Sequence, residues 1–586
     1  MARRGGDADA GGDCRVRGAR VGREDVEDAA VDVVQRGRSK ILRHGGPPLV
    51  GGRTSRRRQR PRSDDPSAHL AAHRRIHHAV SRAAPSRRTP ATRPPRHPRG
   101  GRRSKEPGVS TTSRPRPRSR DARSAPPGRA PRTAVVVGAG MVGLATAWHL
   151  QEQGVEVTVV DREGVAAGSS WGNAGWLTPG MAMPLADPSL WTYGPRALLD
   201  PAAPLHVPLR FDPRLWTFFA RFMAHATQAR WDRAMAALTP IDRVALDAFD
   251  ELAAGGSLGH GVEAGTTPGP FTVAFEHVRE ARPFLRELEH VAAAGQTVPV
   301  RRVEAGERAH QLTDRVSTVY ALEGQRFLEP GPYVHALADS VRARGGTILT
   351  GLDVLDVEPG RLGACVFARA VHPDAARHPT LVGAGAGDGS GVTDGIGPDA
   401  GAPRRAGSPA DREEGVVLRG DAVVLATGAW LPSLAAPLGV RTRVQAGRGY
   451  SFTVKTDEPV ETPIYLPARR VACTPYQGRF RIAGTMEFRG PDEPLQPRRI
   501  DAILASVRHL FQGVDLDDRH DEWVGSRPVT PDGLPLVGAT RTRGVYVAGG
   551  HGMWGMVLGP ATGRALAHLV TTGETPEEIR AFDPLR

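Results

Sequence analysis

The sequence predicts an α/β protein in which a Rossmann-like nucleotide domain, assembled from separated stretches of chain, is interrupted by an inserted α+β domain. Three observations carry this reading. Folded pattern begins abruptly at Thr133, with a short apolar run that ends in glycine and opens a helix. Similar runs, each closed by a small-residue turn, recur at Asp421–Leu425 and Gly544–Ala548. Between them lie long stretches with helical or alternating apolar spacing but no further βαβ repeat.

Upstream of Thr133 the composition is different. Residues 1–132 hold 34 of the chain's 78 Lys and Arg but only 12 of its 63 Asp and Glu, so this segment carries +22 and the remainder −7. The overall charge of +15 therefore belongs to an appendage and gives no ground for nucleic-acid binding by the body. The segment is rich in Arg, Pro, Gly and Ser, with runs such as Arg56-Arg57-Arg58, and lacks sustained apolar periodicity. Burial cannot offset the entropy of ordering it. It reads as a disordered Arg/Pro-rich tail, or as sequence translated upstream of the true start, in preference to a nucleic-acid-binding arm. Only Lys40 and Lys105 among its basic residues are lysine, which fits a composition bias better than a phosphate-binding surface. No Met stands between Met1 and Met141, so a later start would need another codon, such as that of Val109.

From Thr133 the elements follow in order. Ala134–Val137 is a buried parallel strand, Met141–Gln153 a helix closed by Gly154, and Val155–Asp161 the second strand of a βαβ unit. Within 182–324 amphipathic spacing predicts helices over Leu215–Thr227 and Ala234–Leu252. Pro330–Arg344 is a helix, Thr347–Leu349 a strand, and a ladder runs on towards Val371. His372–Glu414 has no core-forming pattern and reads as a flexible insertion. A last strand, Gly544–Ala548, leads through a Gly-rich turn into a helix reaching Val570. The expected division gives 133–181, 325–440 and 523–586 to the nucleotide domain, with 373–415 as its low-complexity insertion. Residues 182–324 and 441–522 form the inserted substrate domain.

Cys14, Cys365 and Cys473 are too few and too scattered for a disulfide framework or a CxxC metal site, so no metal is expected and the compartment is reducing. Arg3-Arg4 is followed by no apolar core, and no window reaches the length of a membrane span. The protein is expected in the cytoplasm, soluble or peripheral on the inner face of the cell membrane. Leu215–Met223 has the composition of an interfacial helix, although packing within the inserted domain is the favoured reading.

Gly138-Ala139-Gly140-Met141-Val142-Gly143 follows a strand and opens a helix, and Asp161-Arg162 closes the next strand. Glycines let the backbone approach a pyrophosphate, the helix N-terminus offers N–H groups and partial positive charge, and the carboxylate accepts ribose hydroxyls. This context marks nucleotide binding without separating FAD from NAD.

The segment Gly168-Ser169-Ser170-Trp171-Gly172-Asn173-Ala174-Gly175, the strand ending Ala426-Thr427-Gly428, and the turn Gly549-Gly550-His551-Gly552-Met553-Trp554-Gly555-Met556 are pieces a simple NAD domain does not need. With Trp523–Pro535, which contains Gly525-Ser526-Arg527-Pro528-Val529-Thr530-Pro531-Asp532-Gly533, they resemble the FAD-dependent D-amino-acid oxidase and dehydrogenase superfamily, and within it bacterial D-amino-acid dehydrogenase. The resemblance spans about residues 133–572 and implies a glutathione-reductase-like FAD fold.

It further implies that Ser169 and Ser170 contact phosphate, that Asn173, Ala174 and Gly175 meet the flavin ring by backbone, and that Arg527 binds a substrate α-carboxylate. Arginine suits that task because its planar charged fork is bidentate. Gly172 stands where some relatives carry a flavin-linking His, so the FAD should be non-covalent. The terminal helix N-terminus would favour an anionic reduced flavin. Tyr450 opens a strand where its hydroxyl could face the pocket, with burial in the core as the alternative, and His551 is a candidate for proton transfer although hydride chemistry on a neutral amine needs no strong base. The implied reaction is oxidative deamination of a D-amino acid, with hydride passing from Cα to flavin N5 and electrons to a quinone-type acceptor. Glycine, sarcosine or D-hydroxyproline oxidation is the alternative within the superfamily. An Arg-rich nucleic-acid-binding protein with a nucleotide domain, and an NAD enzyme, are the alternatives outside it.

Overall fold

The computed structural model describes residues 130–586 apart from 193, 195–199, 201, 361–362 and 372–414. The expectations for the tail 1–132 and the insertion 373–415 therefore fall almost wholly outside the described residues.

Thr133–Val137 becomes the centre of a parallel sheet because its valines are β-branched and its last four residues are buried. It pairs with Glu156–Val160 on one side and Ala422–Leu425 on the other. Among the described residues the sheet has six strands, ordered Leu536–Ala539, Val545–Gly549, Ala422–Leu425, Thr133–Val137, Glu156–Val160, Thr347–Leu349. Only the edge strand Leu536–Ala539 runs antiparallel to its neighbour. Stretches far apart in sequence thus build one sheet.

One face of this sheet is covered by the helix Met141–Glu152 and the terminal helix Gly555–Thr572. The two approach backbone to backbone: a Cβ on Gly563 would lie 2.6 Å from the carbonyl carbon of Ala145, and one on Gly559 would lie 2.8 Å from Met141 Cγ. Close approach lets Leu144, Trp148, Val136, Val424 and Leu566 fill one core. The other face packs against a three-stranded antiparallel sheet, Leu352–Pro359, Ala364–Ala370 and Val416–Gly420.

A further, larger mixed sheet includes Thr267–Phe275, Thr318–Phe327, Gln445–Thr456, Val471–Tyr476, Arg479–Phe488 and Val514–Val529, so two of its strands run past the expected boundaries at 324 and 522. Tyr450, Phe452, Phe480 and Ile482 pack on the helix Pro497–Val507. The opposite face turns to the nucleotide domain: Ser451 Oγ donates to the Gly172 carbonyl at 2.6 Å, and Thr474 Oγ1 to that of Ala174 at 2.6 Å. Both bonds grip the glycine-rich stretch 168–175.

One helix differs from expectation. Ala234–Leu252 is not continuous: one helix spans Gln228–Arg243, a second Ala245–Ala254, and Val244 separates them. Pro240 lies within the first and removes one backbone donor. Apolar spacing could not reveal the break, since Leu238, Ile241, Ala245, Ala248 and Leu252 enter the same core on both sides of it.

Candidate active site

A cleft opens at the C-terminal ends of the parallel strands, where doubly wound sheets hold their ligands. Gly138, Gly140, Met141 and Val142 form its floor, with Asp161, Arg162, Ser169, Ser170 and Asn173 along one wall. Thr427, Gly428, Arg527, His551, Gly552, Met553, Gly555 and Met556 complete it. These are residues the sequence singled out in six separate stretches.

Each glycine of the first turn has a distinct job. Gly138 has φ +115°, and a Cβ there would lie 2.5 Å from the Ala426 carbonyl oxygen. Gly143 lies outside the cleft lining; its Cβ would fall 2.0 Å from the Gly138 carbonyl oxygen, so it seats the helix on the turn. Gly140 borders Ser170 Oγ, which accepts from the Met141 N–H at 3.1 Å. The helix it caps has no acidic residue in its first turn, leaving its positive end uncompensated.

Asp161 holds the turn itself. Its Oδ2 accepts from the Ala139 N–H at 2.8 Å, and its Oδ1 from the Glu163 and Gly164 N–H groups at 2.9 Å. Burial raises its pKa, and these three donors oppose that shift. Arg162 pairs with Glu163 at 2.7 Å and lies 4.9 Å from the ring of Trp430.

Asn173 is a brace for its own loop. Its Nδ2 donates to the Ser169 and Ser170 carbonyls, and its Oδ1 accepts from the Gly175 N–H at 2.7 Å. Gly175, at φ +71°, would place a Cβ 2.0 Å from the Leu328 carbonyl oxygen. Ala174 and Gly175 stand outside the cleft lining, tied to the inserted sheet through Thr474 and Leu328. Trp554 also lies outside it, donating through Nε1 to the Met183 carbonyl while capping the terminal helix.

Of the two arginines lining the cleft, Arg162 is paired with Glu163, whereas Arg527 is not so paired. Among the described residues no carboxylate lies within ion-pair reach of it, and its one protein hydrogen bond there is from Nη1 to the Thr485 carbonyl, at 3.3 Å. Desolvation lowers its pKa to about 10, so it stays cationic at neutral pH. Arg527 is half-buried, and a partly desolvated cation without an anion carries a cost that an incoming carboxylate removes.

Tyr450 departs from expectation. It is fully buried away from the cleft, and its hydroxyl donates to Glu487 Oε2 at 2.7 Å. Successive residues of a strand face opposite ways, and Gly449 takes the side on which Arg527 lies. Tyr450 consequently points into the core beneath the sheet.

His551 lines the cleft but is buried, with Nε2 3.0 Å from Thr562 Oγ1. Desolvation lowers its pKa to about 4, too weak a base to take a proton from an ammonium group, which removes the reason for a proton-transfer role. Sequence reasoning gave no role to Trp430, Asp353 or Trp523, which also line the cleft. Trp523 lay within a diagnostic stretch, but only the fold shows its ring pressed on Gly172 and Gly525, where added Cβ atoms would come within 2.2 and 2.0 Å.

A dinucleotide turn, a helix N-terminus, a second glycine-rich wall and an unpaired arginine define a flavoprotein oxidoreductase rather than a simple NAD domain. The family described as FAD dependent oxidoreductase matches residues 133–569, and the chain belongs to that family. It is 31% identical to the D-amino acid dehydrogenase of Methylobacterium nodulans over 76% of this chain and 96% of that one. It is 30% identical to the enzyme of the same name from Cereibacter sphaeroides, covering 76% and 92%. Its fold matches glycine oxidase from Geobacillus kaustophilus with TM-score 0.53 at 20% identity, covering 78% of this chain and 99% of that one.

The cleft fits the family's cofactor, FAD. Thr427 Oγ1 lines it buried and without a protein hydrogen-bond partner, a polar atom that a cofactor oxygen or nitrogen would satisfy. Gly428 and Gly552 present bare backbone with no atom within 3.5 Å of a notional Cβ. Gly140, Met141, Val142 and Ser170 could hold the pyrophosphate at the helix N-terminus.

Proposed function

We propose that the chain is a D-amino-acid dehydrogenase, deaminating D-amino acids to 2-oxo acids and ammonia and passing the electrons to a quinone-type acceptor. The observation that carries this reading is Arg527, a desolvated cation with no protein carboxylate, lining the same cleft as the dinucleotide turn. Its fork binds the substrate α-carboxylate in two parallel hydrogen bonds. Bound FAD supplies the acceptor for hydride from the substrate Cα, and the imino acid then hydrolyses in water. The N-terminus of the helix Gly555–Thr572 borders the cleft through Gly555 and Met556 and favours negative charge there. The relatives named D-amino acid dehydrogenase, matched over more than nine-tenths of their length, support the substrate class.

The enzyme acts on the cytoplasmic side. No helix among the described residues is long and apolar enough to cross a membrane. Within the helix Pro213–His225, Leu215, Phe218 and Phe222 are buried in the inserted domain. Trp216 on this helix and Leu209 and Phe211 just before it are exposed and supply a peripheral membrane contact, which sedimentation with phospholipid vesicles tests.

The decisive experiment is an anaerobic absorbance spectrum of the full chain, before and after D-alanine, D-proline, glycine and sarcosine in turn. Bleaching of the flavin band by the D-amino acids is expected. Bleaching by glycine or sarcosine alone would move the substrate class, and a colourless protein would overturn the reading.

A further inference from the structure

Arg527 does not stand alone on the inserted sheet. Opposite it, the strand Arg479–Phe488 carries one residue more than its partner Gln445–Thr456: Tyr450 pairs with Gly484, but Arg448 pairs with Glu487. The extra residue is a β-bulge, and Thr485 occupies it with φ +53°. A β-branched residue is poorly suited to the left-handed region, where glycine would stand without strain. The bulge keeps threonine there despite that cost, which directs attention to what its side chain does.

Two groups of Thr485 bear on the role of Arg527, although Thr485 is not itself part of the cleft lining. Its carbonyl accepts the Arg527 Nη1 hydrogen bond, at 3.3 Å. Its hydroxyl is buried and has no hydrogen-bond partner. A buried, unpartnered hydroxyl on the residue whose carbonyl meets an unpaired guanidinium is a mismatch in the free protein that one ligand group would resolve, since a carboxylate accepts from both.

We propose that Thr485 is the second half of the carboxylate site: its carbonyl aims the Arg527 guanidinium, and its hydroxyl donates to the same substrate carboxylate. The proposal rests on the reading of Arg527 as the carboxylate ligand. It also gives the bulge a purpose. Were the same residues laid out in a regular ladder with no bulge, strict alternation from Gly484 would carry Glu487 to the face away from Tyr450.

The test uses the full-length holoenzyme and propionate, a carboxylate with no amine to oxidise, whose binding is read from the flavin absorbance. Thr485→Ala should weaken propionate about ten-fold and raise KM for a D-amino acid by the same factor, with kcat changed much less. Thr485→Ser should restore both to within about two-fold. Thr485→Gly relieves the backbone strain, so it should raise the melting temperature while binding propionate as poorly as the alanine variant. Unchanged propionate binding in Thr485→Ala and Thr485→Gly would overturn the proposal. Arg527→Gln separates the two levels: if it abolishes propionate binding while Thr485→Ala does not, only Thr485 is misassigned. If Arg527→Gln also binds normally, or the wild type does not bind propionate, the Arg527 reading fails first.

Discussion

The Arg527 guanidinium rests on the bare Cα of Gly449, where a Cβ would lie 2.1 Å from Arg527 Cζ. The two residues sit on adjacent antiparallel strands, Gln445–Thr456 and Val514–Val529, in which Gly449 pairs with Gly525 and Arg527 with Gly447. Glycine here is a shelf for the cation. Any side chain at 449 evicts the guanidinium from the position in which the Thr485 carbonyl meets it.

Gly449→Ala should therefore impair substrate binding without emptying the flavin site. Overpacking of this kind costs roughly 1–3 kcal/mol, which corresponds to about a ten-fold or greater rise in KM. Steady-state kinetics together with the flavin-to-protein absorbance ratio check this. Loss of flavin in step with activity would place the damage elsewhere.

The pKa of Arg527, lowered to about 10 by desolvation, predicts an alkaline limit to carboxylate binding. The guanidinium is charged below that value and neutral above it, so propionate affinity should hold steady through neutral pH and fall as pH rises through about 10. Propionate has no amine, so its own charge does not change in this range. Fluorescence or absorbance titration of the holoenzyme gives the profile. An affinity unchanged well above pH 10 would mean that another group holds the carboxylate.

Much of this was legible beforehand because it depends on local chemistry. The run Ala134–Val137, the glycines at 138, 140 and 143, and Asp161 announce a strand, a turn and a strand end by composition and spacing alone. The facing of Tyr450 was not legible, because the orientation of a strand residue depends on register and on neighbouring bulges rather than on its own identity. Asp161 was legible as a residue of the turn, whereas its three backbone donors emerge only when Glu163 and Gly164 fold back on it. Thr485 carried no signal at all, since nothing in Gly484-Thr485-Met486 marks the threonine rather than the glycine as the left-handed residue.

Gly172 bears on how the flavin is held. With the Trp523 ring 2.2 Å from a notional Cβ there, no larger side chain fits without moving the ring, and none is present to form a bond to the flavin. Acid precipitation should leave all of the FAD in the supernatant, and a denaturing gel should show no fluorescent band. Gly172→Ala should displace Trp523 from the cleft wall and weaken FAD about ten-fold or more. Equilibrium dialysis of the flavin measures this, and unchanged affinity would mean that the ring shifts freely.

Buried histidines, His551 and His149 foremost and His206 beside them, should make the fold acid-sensitive above the usual carboxylate range. Desolvation lowers His551 to about 4, while His149, buried with Nε2 unpartnered, falls to about 3 through desolvation and the nearby charge of Arg564. Both start from an ordinary value of 6.5, so between 6.5 and the folded-state value the unfolded chain binds the proton and the folded chain does not. Their contribution is intact above pH 6.5 and is lost as pH falls, at roughly 1.4 kcal/mol per pH unit for each histidine. The loss levels off near pH 4 for His551 and continues towards pH 3 for His149. Urea unfolding midpoints at pH 7, about 5.5 and about 4.5 should show this slope. Replacing His551 with Asn should flatten it, since the substitute does not titrate while His149 and, more weakly, His206 and His225 still do. A midpoint that falls equally in the variant would show that His551 titrates freely in the native state, contrary to its burial against Thr562.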